Sequence, residues 1–184
     1  MIDKILVAVD YSQTSALAFN SALSLAKITG AALMIVHVLG DDEPNFPIIP
    51  SYTYYPVLED YDYSLYQKRY EDYKQEGIKF LQQKHKAAKA AGVKSEYLQL
   101  TGNPGRAICE LAASWSADMI FIGSRGLRGL KEMFLGSVSN YVTHHAPCSV
   151  LIVRNSVDAD LEQTSTKSAQ NSDRQPLVTN TISH

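Results

Sequence analysis

The sequence predicts an α/β protein in which a five-stranded parallel sheet lies between two layers of helices, a three-layer, doubly wound sandwich. Five short runs of apolar, often β-branched residues recur along the chain, and they are nearly continuous rather than alternating with polar residues. Such runs are typical of parallel strands buried on both faces. Helical patterns separate the runs, and right-handed crossovers then place helices on both faces of the sheet.

The predicted strands and helices alternate along the chain. The strands span residues 4–10, 31–38, 97–100, 118–123 and 149–153. Helix boundaries are indicated by capping hydroxyls and amides, by proline in a first turn and by glycine or proline at an end. The starts are predicted at Ser12, Ser64, Asn103–Pro104 and Ser137, and the ends at Gly30, Gly92 and Pro147. The first helix is expected to bury Ala16, Phe19, Leu23 and Ala26.

The length of 184 residues exceeds one compact domain of this type. We therefore predict one domain over residues 1–154, with an insertion at 40–65 and a polar tail at 155–184. Tyrosines and prolines are concentrated in and just after the insertion, where the proline density at 44–56 excludes a helix or a central strand. The tail has no aromatic residue, and we expect it to be disordered because it offers little apolar area to bury.

Composition and charge exclude several classes of protein. The net charge is −2, which gives no support for a nucleic-acid partner. Two cysteines exclude a disulfide scaffold and fit a reducing compartment. The amino terminus does not resemble a secretory signal, and no apolar run reaches the roughly 18 residues that span a membrane. We expect a cytoplasmic protein with no membrane contact.

A glycine-rich segment follows the fourth predicted strand and leads into the last helix. Four of the ten glycines lie within it: Gly123, Gly126, Gly129 and Gly136. Glycine lets a backbone approach a ligand closely, and a helix N-terminus attracts anions through its free N–H groups. Arg125 adds positive charge. These features favour a phosphate-binding loop over a simple turn, although the segment has no P-loop pattern and no dinucleotide fingerprint.

This segment resembles the nucleotide-binding motif of the ATP-binding branch of the universal stress protein family. The shared spacing is Gly123, two residues, Gly126, nine residues, then Gly136-Ser137. The resemblance covers about residues 2–154 apart from the insertion. Its flanking matches are residues 5–12, His37-Val38, residues 102–104 and residues 147–153.

The resemblance implies an adenine nucleotide alpha-hydrolase-like fold and a function in stress response or regulation. The implied ligand is ATP or AMP, with or without bound Mg²⁺. Asp10 would accept hydrogen bonds from the ribose, and Val38 would bond the adenine through its backbone. The implied phosphate-binding residues are Gly123, Arg125, Gly126, Gly136, Ser137 and Val138. The resemblance also implies a homodimer formed through the final strand, Val150–Val153, whose apolar edge needs a cover.

Several alternatives stay open at this stage. Asp10 is also suited to capping the first helix. No nucleophile, base and orienting group stand together, and no histidine or cysteine cluster suits a metal, so we assign no catalytic and no metal residues. Slow ATP hydrolysis, cyclic AMP binding and a non-nucleotide interaction protein of the same fold are the alternative functions. The tyrosines of the insertion would suit a lid, a dimer contact or an unknown protein partner.

Overall fold

The computed structural model describes residues 1–40, 46–47, 60–124 and 135–155, of which residues 60–63 are described by their backbone alone. Most of the 40–65 insertion, residues 125–134 and the chain from 156 onward lie outside this part. The predictions of an irregular aromatic insertion and of a disordered tail therefore stay predictions.

The described part of the chain has the predicted fold. Five parallel strands form one sheet in the order β3-β2-β1-β4-β5. Their bounds are β1 Lys4–Ala8, β2 Ala32–Leu39, β3 Ser95–Thr101, β4 Met119–Gly123 and β5 Ser149–Val153. The helices are α1 Gln13–Thr29, α2 Asp60–Ala90, α3 Pro104–Trp115 and α4 Ser137–His145. The fold class and the alternation of elements are confirmed.

Each face of the sheet has its own hydrophobic core. Alternate residues of β1 point to opposite faces, so that Ile5 and Val7 pack under α1 and α2 whereas Leu6 and Ala8 pack under α3 and α4. All four side chains are buried. This double burial explains why the strand sequences are continuously apolar.

The predicted caps of α1 and α3 are present. The Ser12 hydroxyl accepts a hydrogen bond from the Ser15 N–H at 3.2 Å, and Asn103 Oδ1 accepts one from Arg106 N–H at 3.1 Å. Gly30 ends α1 with a φ of 75°, a left-handed conformation that favours glycine. The capping residues that the sequence indicates therefore set the first turns of both helices.

The buried face of α1 is rotated relative to the prediction. Phe19 and Ala26 are buried as expected, but Ala16 and Leu23 are only half-buried. The fully buried positions also include Thr14, Ser15, Ala18 and Ala22. Small side chains on this face let the helix axis approach the sheet closely, which hydrophobicity alone does not predict.

The helix α2 is longer than predicted, because it begins at Asp60 rather than near Ser64. Its 31 residues span about 46 Å, well beyond the eight residues of β2 at about 26 Å. Tyr73 is buried as expected for a core position, whereas Tyr70 is half-buried. Phe46, from the insertion, packs edge-on against both rings, with centroids 5.9 and 6.2 Å away.

Asp118 ties the amino ends of β1 and β4 together. Its Oδ2 accepts hydrogen bonds from the N–H groups of Asp3 and Lys4 at 2.8 and 2.9 Å. Its own N–H donates to the Lys4 carbonyl at 2.9 Å. The two backbone N–H donors hold the pKa of the Asp118 carboxyl below its ordinary value. The contact sets the register of the two strands whose opposite ends lead into the candidate site.

We predict that Asp118→Asn lowers stability at pH 7, because a neutral amide accepts the two N–H bonds less strongly than a carboxylate. A carboxyl with a depressed pKa stabilises the fold above its unfolded pKa, and the contribution is lost as the pH falls through the folded pKa. The melting temperatures of variant and wild type should therefore converge as the pH falls below about 4. Thermal unfolding at pH 7 and pH 3 tests this, and an equal difference at both values would contradict it.

Candidate functional site

The order in which strands are added to the sheet reverses at β1, so the topological switch point lies between the carboxyl ends of β1 and β4. After β1 the chain moves outward to β2 and β3, and it then returns to β4 on the other side of β1. The helix α1, after β1, and the helix α4, after β4, pack on opposite faces. A crevice opens where such connections diverge, and open α/β sheets bind ligands at that point.

Asp10 follows β1 at this crevice and is half-buried. Its N–H donates to Ser15 Oγ at 2.8 Å. Its Oδ1 accepts hydrogen bonds from the N–H of Ser12, at 2.9 Å, and from the Ser12 hydroxyl. One carboxylate oxygen thus orients the capping residue of α1, while Oδ2 has no hydrogen-bond partner among the described residues. The carboxylate supports the helix and still presents an acceptor.

Gly123 ends β4 where α1 passes very close to the strand. A Cβ at this position would lie 2.8 Å from Thr14 Oγ1 and 2.9 Å from the Thr14 carbonyl carbon, and 3.0 Å from the Ser15 nitrogen. Contacts that short with backbone atoms leave room only for glycine. Ser15 also accepts a hydrogen bond from the Asp10 N–H. Asp10, which follows β1, and Gly123, which ends β4, therefore both lie next to Ser15. The glycine is required by helix–strand packing, a reason that the motif alone does not reveal.

The two ends of the glycine-rich segment are joined by hydrogen bonds. The Gly136 N–H donates to the Ser124 carbonyl at 2.8 Å. The hydroxyl of Ser139 donates to the same carbonyl at 2.9 Å and contacts the Gly136 carbonyl at 3.0 Å. Ser124 and Ser139 are each only 2% exposed. Sequence reasoning did not single out either serine, because a lone small hydroxyl gives no periodic or spacing signal.

The helix α4 starts without a side-chain cap. Gly136 is the N-cap, with φ −70° and ψ 162°, and it has no side chain to accept a bond from the first turn. The first intrahelical bond runs from the Asn140 N–H to the Gly136 carbonyl at 2.9 Å. The N–H groups of Ser137 and Val138 therefore have no acceptor within the helix, and they lie at the positive end of its dipole.

Val38 lies at the carboxyl end of β2, beside this crevice. It pairs with Leu100 of β3, and the last β2 residue paired with β1 is Val36. The Val9 N–H donates to the Val36 carbonyl at 2.8 Å, so β2 continues past the end of β1. At Val38 the backbone of β2 is therefore beyond its pairing with β1, and the side of this backbone that faces β1 lies at the crevice. The Val38 side chain is buried.

An aromatic cluster that the sequence did not predict borders the same strand ends. Tyr11 lies over Phe80 with ring centroids 4.6 Å apart, and it meets His37 edge-on at 5.7 Å. His37 is buried and Tyr11 is 47% exposed. The cluster joins the residue after Asp10 to α2, so it provides an apolar wall next to the crevice.

Two of the predicted site residues, Arg125 and Gly126, lie outside the described residues. The other six, Asp10, Val38, Gly123, Gly136, Ser137 and Val138, all lie at the carboxyl edge of the sheet. Within the ranges that the structure describes, no group of three or more His, Cys, Asp or Glu side chains is arranged to hold a metal ion. No helix in those ranges is long and apolar enough to cross a membrane.

The two cysteines lie away from this crevice, at the edge of the core under α3 and α4. Cys109 and Cys148 are both half-buried free thiols. Burial raises the pKa of each thiol, so little thiolate is present near neutral pH. Both behave as small apolar side chains, as the sequence indicates, rather than as nucleophiles.

Comparison with known proteins places these features in context. The model of the universal stress protein family matches residues 1–154. Universal stress protein YxiE of Bacillus subtilis is 38% identical over 154 residues, which cover 84% of this chain and 100% of that protein.

Two solved structures share the fold and were described with a nucleotide. One, a universal stress protein in complex with cAMP, is 26% identical with a TM-score of 0.55, covering 83% of this chain and 97% of that chain. The other, a universal stress protein family protein from Arabidopsis thaliana with AMP bound, is 23% identical with a TM-score of 0.55. It covers 85% of this chain and 94% of that chain, and at this identity the likeness shows the fold.

We predict that Ser139→Ala lowers the free energy of unfolding by about 1 kcal/mol, because it removes the buried hydroxyl that joins the ends of the segment. Ser137→Ala, two residues earlier and exposed, is the matched control and should change stability by less than about 0.5 kcal/mol. Urea unfolding of both variants measures the difference. Equal stability of the two variants would show that the Ser139 bonds contribute nothing.

Proposed function

Because the chain belongs to the universal stress protein family, we propose that it binds an adenine nucleotide in the crevice described above and acts as a regulatory protein in stress response. Nucleotide occupancy would then change what the protein contacts. The observation that carries this proposal is the uncapped start of α4, held beside the ends of β1 and β4 by the Ser124–Gly136 bond. Unsatisfied N–H groups at a helix N-terminus bind phosphate.

We assign each predicted residue a part in this site. Ser137 and Val138 donate backbone N–H groups to phosphate, and Ser137 adds its hydroxyl. The Gly136 N–H is already bonded to Ser124, so Gly136 contributes by leaving the helix start unobstructed. Gly123 lets α1 and β4 converge at the crevice. Arg125 and Gly126 complete the phosphate loop on the strength of the sequence motif.

The nucleoside part is assigned to the other side of the crevice. Asp10 accepts ribose hydroxyls through Oδ2, because Oδ1 is bonded to Ser12. The backbone of Val38 reads the adenine edge, and the exposed ring of Tyr11 lies nearby as an apolar surface. These contacts suit AMP, ATP and cyclic AMP alike, and the cyclic AMP complex of a relative at 26% identity supports the class. We propose AMP or ATP as the ligand, with Mg²⁺ accompanying the triphosphate.

The test is mass spectrometry of any nucleotide released from freshly purified protein, followed by calorimetry with AMP, ATP and cyclic AMP, with and without Mg²⁺. We expect saturable binding of at least one adenine nucleotide. Phosphate release above background, lost in site variants, would identify the protein as a slow ATPase. A protein that carries no adenine nucleotide and binds none of the three would refute the proposal and favour an interaction protein of the same fold.

We predict that Ser137→Pro weakens nucleotide binding by about 10- to 100-fold, because it removes an N–H donor to a charged phosphate. Proline suits the first helical position, and the extended ψ of 162° at Gly136 is compatible with a following proline. The fold should therefore survive. Calorimetry measures affinity, and thermal unfolding checks the structure.

Ser137→Ala is the matched control for that variant, because it keeps the N–H and removes only the hydroxyl. Its affinity should lie between those of the wild type and Ser137→Pro. If Ser137→Pro folds and binds as tightly as the wild type, the helix start does not hold the phosphate.

We further propose that the protein forms a homodimer through β5, residues Val150–Val153. This strand is at one edge of the sheet, with β4 as its sole neighbour among the described strands. Leu151 on it is 38% exposed. An apolar edge strand left open to solvent would promote aggregation, and a symmetric partner would cover it.

A cytoplasmic location and a protein partner for the 40–65 insertion are proposed on the sequence alone.

We predict that Leu151→Glu converts the dimer to a monomer, because it places like charges in the proposed interface. Leu98→Glu is a matched control, since Leu98 lies on β3 at the opposite edge and is also 38% exposed. Analytical ultracentrifugation should show a dimer for wild type and Leu98→Glu and a monomer for Leu151→Glu. A dimer that only Leu98→Glu disrupts would place the interface on β3 instead.

A further inference from the structure

Building on the proposed function, in which Asp10 and Val38 hold the nucleoside, we propose that Phe80 of α2 is a positioning residue for the nucleoside half of the site. Phe80 acts through Tyr11 and His37, which are the chain neighbours of Asp10 and Val38. The packing of α2 and the binding of the nucleoside are therefore coupled.

Phe80 packs against both of these rings at once. Its ring centroid lies 4.6 Å from that of Tyr11 and 5.9 Å from that of His37. Tyr11 and His37 also meet each other, edge-on, at 5.7 Å. Each ring thus contacts the other two, and aromatic pairs in tilted and edge-on geometry stabilise one another beyond the area that they bury. Loss of the Phe80 ring removes the side of this triangle that belongs to α2.

The backbone of α2 lies against the same histidine. Gly77 precedes Phe80 by three residues, and a Cβ at Gly77 would lie 3.0 Å from His37 Nδ1 and 3.2 Å from His37 Cε1. It would also overlap the Gln99 side chain. Glycine inside a helix is unfavourable relative to alanine, and here it allows the helix to approach the imidazole closely. The helix therefore holds His37, which is buried, at two points.

Phe80 itself has a fixed place in the fold. It packs against the hydrophobic core under α1 and α2. Lys84, one turn later, places its Nζ 5.4 Å from the centroid of the Phe80 ring and 4.9 Å from that of Phe19 in α1. A cation over an aromatic face is attractive, so Lys84 links the two helices through these rings. The positions of Tyr11 and His37 follow from a ring that is anchored on the core side.

The end of β1 is the part of the site that depends on this packing. The Val9 N–H donates to the Val36 carbonyl at 2.8 Å, and the Asp10 N–H donates to Ser15 Oγ at 2.8 Å. Tyr11 follows directly in the chain and is 47% exposed, so one part of its ring borders the crevice while another part lies on α2. A displaced Tyr11 ring would loosen both bonds and move the Asp10 carboxylate.

The phosphate half of the site has a different support. The helix α4 packs on the opposite face of the sheet from α2. Its start is held by the bond from the Gly136 N–H to the Ser124 carbonyl. A change at Phe80 should therefore affect the nucleoside half and leave the start of α4 as it is. Because coupling is reciprocal, a bound nucleoside should stabilise the packing of α2 in return.

The first test measures amide hydrogen exchange by NMR in the ligand-free full chain. Phe80→Leu keeps an apolar side chain and removes the ring. We expect exchange at Val9 and Asp10 to become about fivefold faster, the factor that one aromatic pair contributes to an equilibrium, and exchange at Gly136 to stay unchanged. Ile78→Ala is the matched control, because Ile78 is equally half-buried on α2 but faces the groove beside β3. A general loss of stability in either variant would raise exchange at all three amides alike.

The second test measures the affinity for adenosine by calorimetry, since adenosine carries the nucleoside half of the ligand alone. Phe80→Leu should bind adenosine about fivefold more weakly than the wild type. Phe80→Tyr, which keeps the ring, and Ile78→Ala should bind it as the wild type does. Should Phe80→Leu not fold, Tyr11→Leu removes the same ring pair from the other side, and the exchange measurement is made on that variant.

The two tests separate failure of this proposal from failure of the proposed function. Exchange that rises equally at Val9, Asp10 and Gly136, or that rises at none of them, would overturn the positioning role of Phe80. Equal adenosine affinity of Phe80→Leu and the wild type would overturn the coupling and leave the proposed function standing. A wild type that binds neither adenosine nor AMP would refute the proposed function, and with it the coupling, whereas the exchange rates would still decide whether Phe80 positions the end of β1.

Discussion

The close approach of α1 to the end of β4 is the constraint on which the site geometry depends. At Gly123 the helix backbone comes so near that no Cβ fits. This approach requires the small buried face of α1, and it brings Ser15 between Asp10 and Gly123. Two strand ends that are 113 residues apart in sequence (10 and 123) thereby become one surface. A larger residue at this point would separate the parts of the candidate site.

The second fixed element is the joint between Ser124 and Gly136. Their backbone bond, together with the bond from the buried Ser139 hydroxyl, joins the residues on either side of the 125–134 segment. The same bond uses the N–H of Gly136 and leaves those of Ser137 and Val138 for another acceptor. The buried Ser139 thus stabilises this joint, while Ser137, two residues earlier, is exposed and is the residue that we propose binds phosphate.

The two edges of the sheet differ in how they are covered. At β5 the edge residues are apolar and partly exposed, which suits a symmetric partner. At β3 the helix α2 lies over the edge and carries Gly77 above a polar residue. Since α2 is much longer than the strands that it covers, one end of it extends beyond the sheet. The extra length of α2 and the close contact of Gly77 with Gln99 therefore both lie on the β3 side of the sheet.

The sequence by itself determined the fold class, the order of the elements and the helix caps at Ser12 and Asn103. These depend on local signals, namely apolar runs, helical periodicity and capping chemistry, which act within a few residues. It also indicated the carboxyl edge of the sheet as the site. Only the tertiary structure decided why Gly123 is a glycine, which N–H groups at α4 are available and that Gln99 meets Gly77. Those facts depend on contacts between residues distant in the chain, and no local pattern records the distance at which two elements pack.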